Sequence, residues 1–136
     1  MNFNNFTIKS QEAVQQAVNI VQTNGQQAIE PEHLLAGVMK VGENVTNFIF
    51  QKLGINGQQI ATVLDRQIAS LPKVSGGEAY LSRDTNTVLQ KSVEVSKELE
   101  IEYMKKFIGK KVSVLIEEYK DGYSFGHTGN FLYVKI

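Results

Sequence analysis

The hydrophobic rhythm of this chain changes once, inside the run SKELEIEYMKKFIGKKVSVLIEE from Ser96 to Glu118. Before it, apolar residues return every three or four positions, the period of a helix with one buried face. At its end, Val112, Val114 and Ile116 alternate with Lys111, Ser113 and Leu115, the two-residue period of a strand. Neither pattern can bury its apolar side in the other conformation. The chain is therefore expected to be α+β, with its helices first and its strands last, and no Gly/Ser linker marks the change.

Four helices are expected before any linker. Thr7 is a good N-cap for the first, which carries Ala13, Val14, Ala17, Ile20 and Val21 on one stripe to about Thr23 and ends at Asn24-Gly25. Pro31 sits where a first helical turn tolerates proline, with Glu30 and Glu32 beside the positive helix end. That helix is expected to turn Leu34, Leu35 and Val38 inward. A third, NVTNFIFQKL, stops at Gly54; a fourth, GQQIATVLDRQIASL, aligns Ile60, Val63, Leu64, Ile68 and Leu71 and stops before Pro72. The one linker-like stretch is PKVSGGEAY, residues 72–80. A fifth helix, capped by Ser82, presents Val88, Leu89, Val93, Val95 and Leu99 and runs to about Glu100.

A shift of 75 positions lays TIKSQEAVQQAVNIVQ over SRDTNTVLQKSVEVSK, so that Thr7 meets Ser82, Val14 meets Leu89, Ala17 meets Ser92 and Val18 meets Val93. Identities are few, but cap and apolar rhythm agree. A complete second copy would continue after Tyr103 with something like IEPEHLLAGVM; the chain instead begins its strands. KKVSVLIEEY, the turn Lys120-Asp121-Gly122, YSFGHT, the turn Gly129-Asn130 and FLYVKI read as a three-stranded antiparallel β-meander with unpaired edges.

Composition removes most chemistry. The 136 residues are 42% apolar and 21% charged, enough for one domain with a short appendage. There is no cysteine, which excludes disulfides, thiol catalysis and thiolate metal sites and fits a cytoplasmic protein. The start has neither the basic nor the apolar region of a signal peptide, and no apolar run approaches a membrane span, so no membrane partner is expected. No G-x-x-x-x-G-K-[ST] loop is present. His33, beside Leu34 and Leu35, reads as a packing or capping residue, and His127 as a turn residue; the carboxylates of EPE and EE read as solvated ends and faces. No catalysis, cofactor or metal is expected. Charge is uneven, −3 over residues 1–104 and +3 over residues 105–136.

The segments FTIKSQEAVQQAVNIVQTNGQQAIEPEHLLAGVMK, NFIFQKLGINGQQI and LSRDTNTVLQKSVEVSKELE together resemble the N-terminal domain of ClpB-type protein disaggregases over about residues 3–103. The resemblance implies a pseudo-twofold pair of four-helix repeats, set ahead of two ATPase modules, that engages unfolded or aggregated polypeptide. It implies a substrate-handling role for Thr7, whose simpler role is an N-cap contributing about 1 kcal/mol. A groove between repeats would draw on Val95 and Leu99, which core packing also explains. The acidic residues of the family's second repeat fall near Ile101 and Phe107 and are absent here.

Residues 107–136, with FIGKKVSVLIEE, DGYSFGHTGN and YVKI, resemble the start of a TRAM domain, the RNA-binding β-barrel that ends radical-SAM tRNA methylthiotransferases. That barrel needs about five strands, and three are legible. Together the resemblances imply a ClpB-like helical repeat region over 1–103, its second repeat truncated, joined near Ile101–Lys105 to a partial TRAM-like segment over 104–136. Each half is cut inside a structural unit, which is the mark of a chimera, engineered or recombined, without intact native function. The leading reading is a non-catalytic protein-binding module, with strand edges that invite a homodimer. The alternative is RNA binding, in which Lys105, Lys106, Lys110 and Lys111 contact phosphates and Tyr123, Phe125 and Tyr133 stack bases.

Overall fold

The structure, a computed structural model, describes residues 3, 6–74 and 76–136. It divides into two compact units, Met1–Gln90 and Lys91–Ile136.

The first unit is helical. Helix α1 (Ile8–Thr23) begins at Thr7, whose hydroxyl accepts from the Ser10 N–H at 3.2 Å, and ends at Asn24-Gly25 with Gly25 at φ +64°. Strand β1 (Ala28–Ile29) leads into α2 (Pro31–Val41), followed by α3 (Glu43–Leu53) and α4 (Gly57–Ser70). Asn56 caps α4 by accepting from the Gln59 N–H. The stretch 72–80 is not wholly linker. Tyr80 and Leu81 form β2, which pairs in parallel with Ala28 and Ile29; Ser75 lies outside the described residues.

Helix α5 (Arg83–Lys105) then starts at Ser82, and its start copies that of α1. Ser82 Oγ accepts from the Thr85 N–H and donates to Thr85 Oγ1, both at 3.1 Å, as Thr7 Oγ1 meets Ser10 at both its N–H and its hydroxyl. The Asn86 amide donates to the Leu81 carbonyl as Gln11 donates to that of Phe6. Residues 6, 7, 10 and 11 thus recur as 81, 82, 85 and 86, the 75-residue shift seen in the sequence. The repeat is a repeat of hydrogen-bonding devices more than of identities.

Ala17, Val21 and Ile29 form the centre of this unit's core, with Val18, Ala79 and Leu81 packed around them. Helices α1 and α2 make the most extensive contact in the chain, through small residues. Ala13 and Ala17 are buried, and a Cβ on Gly37 would be driven into the Ala13 carbonyl oxygen and stand 3.1 Å from the Ala17 nitrogen. The backbones approach this closely only because Gly37 has no side chain. Of the stripes expected to face inward, Leu34, Leu64, Ile68 and Leu89 are buried. Leu35, Val38, Val63 and Val88 are not, because each helix here has a partner on only part of its apolar arc.

The second unit holds the remainder of α5, which continues five residues beyond the expected end at Glu100. Nothing in EIEYMK breaks a helix, and the turn is deferred to Gly109 at φ +77°. Strand β3 (Val114–Lys120) pairs with β4 (Tyr123–Thr128), and β4 with β5 (Tyr133–Lys135), in the antiparallel order expected. The connecting pair Asp121-Gly122 has φ +52° and +82°, the type I′ turn that matches strand twist. Two expectations need correction. β3 begins at Val114 instead of Lys110, so Val112 lies outside it. The last strand is shorter than FLYVKI, because Phe131 adopts φ +65° in a turn braced by Thr128 Oγ1, which accepts from the Leu132 N–H. In addition, a bulge between Ile116 and Glu118 breaks the alternation that the sequence suggests.

Candidate polypeptide-binding groove

Ser10, whose hydroxyl and N–H both meet Thr7 Oγ1, lines a surface groove of about 560 Å³ between α1 and the α2–α3 junction, while Thr7 itself is outside the lining. Its apolar lining is Ala13, Val38, Val41 and Val45, and Lys9, Lys40 and Glu43 supply charge at its borders. Val45 is 63% exposed, one of several large apolar side chains of the helical unit that face solvent, with Ile8 and Leu53. The groove exists because α2 and α3 are joined at the single residue Gly42, whose N–H bonds the Val38 carbonyl and whose carbonyl starts α3. That tight junction turns Val38, Val41 and Val45 to one side. Val38, expected in the core, lines the groove instead, and Val41, Val45 and Ser10 are groove residues that no local motif marks. Their one signal in the sequence is the apolar spacing of Val38, Val41 and Val45, which continues across the helix break at Gly42.

At the other end of α2 lies a buried polar relay. His33 is fully buried at the third position of α2. Its Nδ1 accepts from the Glu30 N–H at 3.0 Å, so the ring proton is on Nε2, which donates to Gln26 Oε1 at 2.8 Å. The Gln26 amide donates in turn to the carbonyls of Ile68 (2.6 Å) and Leu71 (3.4 Å) at the end of α4. One chain of hydrogen bonds thereby ties the start of α2 to the end of α4. Burial holds the His33 pKa below its ordinary value, against the opposing pull of the Glu32 and Glu30 carboxylates. The capping role expected of His33 is what the geometry shows.

The other expected site residues lie in the second unit. Val95 and Leu99 are exposed on α5, 38% and 59% respectively, and so are not core residues there. Lys105 ends α5, and Lys111 is exposed beyond it. Lys106 and Lys110 sit over the rings of Tyr103 and Phe107, at 6.0 and 5.7 Å. Phe125 and Tyr133 stack with ring centroids 6.0 Å apart and planes at 17°, and Lys135 covers the Tyr123 ring at 3.4 Å. His127, expected in a turn, belongs to β4; its Nδ1 is 2.8 Å from Glu117 Oε2 and its ring lies against Tyr133. Among the described residues no group of three or more His, Asp or Glu side chains could hold a metal ion, and no helix is long and apolar enough to cross a membrane.

Comparison with known proteins places the helical part in a family. The family model for the Clp repeat (R) N-terminal domain matches residues 5–106. The chaperone protein ClpB of Bacteroides thetaiotaomicron is 75% identical over 104 residues, and that of Porphyromonas gingivalis is 54% identical over the same length. Chaperone protein ClpB 2 of Nostoc sp. is 33% identical over 105 residues. Each alignment covers 76% of this chain and 12% of the relative, so the chain spans about an eighth of the length of these chaperones. No solved structure is a significant match. The chain belongs to the Clp repeat (R) N-terminal domain family.

Proposed function

We propose that the helical unit is a non-catalytic module that engages unfolded or aggregated polypeptide through the groove lined by Ser10, Val38, Val41 and Val45. The observation that carries this reading is the exposed valine lining of that groove, bordered by charged side chains, in a family whose relatives bear the name chaperone. An extended chain would lay apolar side chains on Val38, Val41 and Val45, while Ser10 and the free edges of the cap offer polar contacts. Val45→Asp is expected to weaken binding of a permanently unfolded polypeptide several-fold while leaving the melting temperature unchanged, since the side chain is mostly exposed already. Fluorescence anisotropy with labelled, reduced and carboxymethylated lactalbumin reads the first, and calorimetry the second. Equal affinity for the variant and the parent chain would defeat this placement of the site. Thr7→Ala would cost about 1 kcal/mol through the lost cap, so its binding effect is read at a temperature where both proteins are folded.

The family match stops at residue 106, eight residues before β3 begins, which supports a chain that joins two unrelated segments near the end of α5. One observation favours RNA as a second ligand, namely the stacked Phe125–Tyr133 pair on the strand unit that carries the basic excess. In that reading Tyr133→Ala lowers affinity for transfer RNA, and affinity for the parent chain falls steeply as salt rises. A filter-binding titration that shows no salt-dependent retention would rule it out. Independently of RNA, the sheet's unpaired edges support self-association of the protein-binding chain.

A further inference from the structure

Resting on that self-association, we infer that two copies join through β5 alone, antiparallel about Val134, to form one six-stranded sheet. The two edges of the sheet are not equivalent. On β3 the bulge at Glu117 and Glu118 interrupts the regular spacing of outward backbone groups and places two carboxylates there, the usual guards against edge pairing. β5 has neither bulge nor carboxylate; its guards are its three-residue length and the single Lys135. Ser124 and Ile136 exchange both of their backbone hydrogen bonds, and Thr128 donates to the Leu132 carbonyl. By the alternation of an antiparallel ladder, the N–H and C=O groups of Tyr133 and Lys135 then point away from β4.

A twofold axis through Val134 brings Tyr133 of one copy opposite Lys135 of the other, so the outward groups of both strands pair completely. The side chains agree with that register. Val134 faces its own copy, Leu132 faces Ile136 of the second copy, and all lie on one side of the sheet. Ile136, 61% exposed in the single chain, gains an apolar neighbour. On the opposite side Tyr133 meets a lysine, the same pairing that Lys135 already makes with Tyr123 within the chain.

The test uses the whole 136-residue chain, which has no cysteine of its own. Val134→Cys places one thiol on the axis in a non-hydrogen-bonded pair, where Cα atoms about 4.5 Å apart suit a disulfide. Mild oxidation is expected to convert this variant almost wholly to a covalent dimer, while Tyr119→Cys on β3 stays monomeric. Lys135→Pro removes an outward N–H and spares the bonds to β4, so it is expected to lose the dimer with an unchanged circular dichroism spectrum. Light scattering on the parent chain separates the two levels of the claim. A monomer at every concentration refutes self-association. A dimer that Lys135→Pro leaves intact, or that Val134→Cys does not cross-link, refutes the β5 edge and leaves self-association through another face.

Discussion

Gly37→Ala is expected to destabilise the helical unit by about 1–3 kcal/mol, the range of overpacking that forces backbone shifts. The sign is the informative part. In an ordinary helix interior the same change stabilises by about 1 kcal/mol, because alanine loses less conformational freedom. Here the added methyl meets the Ala13 carbonyl and the Ala17 nitrogen, both backbone atoms that no rotamer change can move aside. Helices α1 and α2 must separate, and the groove above them with them. Since domains of this size have about 5–15 kcal/mol in total, the variant should unfold at clearly lower urea. A midpoint equal to or above that of the parent chain would contradict the packing described.

The second large effect is at His33. His33→Ala leaves the Glu30 N–H and Gln26 Oε1 without partners in a buried place and opens a cavity, together costing about 3 kcal/mol or more. The same residue imposes a pH dependence. Its folded pKa lies below its unfolded value, so near and below the unfolded pKa the unfolded chain binds more protons than the folded one. Its contribution is complete above the unfolded value of about 6.5 and is lost as pH falls from there toward the folded value. Urea midpoints at neutral and mildly acidic pH are expected to show that fall in the parent chain. His33→Gln, which cannot titrate, should be less stable at neutral pH and show a smaller fall.

What could be read in the sequence was what neighbouring residues decide among themselves. Thr7 and Ser82 bond to groups three residues away, Pro31 acts within its own turn, and Asp121-Gly122 fixes a hairpin by backbone conformation alone. The features that hold the helices together depend on residues far apart. Gln26 reaches carbonyls 42 and 45 positions along the chain, and Gly37 matters only because Ala13 lies across from it. Nothing local distinguishes Val38 from Leu34, yet one lines the groove and the other the core. The bulge at Glu117 likewise follows from pairing with β4, where Gly126 lets the Leu115 carbonyl come close.

The central claim, that the α1–α2–α3 groove receives unfolded polypeptide, is most directly tested by titrating the ¹⁵N-labelled chain with reduced, carboxymethylated lactalbumin and following amide shifts. The account predicts saturable changes at Ser10, Val38, Val41 and Val45, none of comparable size along the strands, and none at all with folded lactalbumin. Shifts confined to residues 114–136, or an unperturbed spectrum at saturating polypeptide, would contradict it.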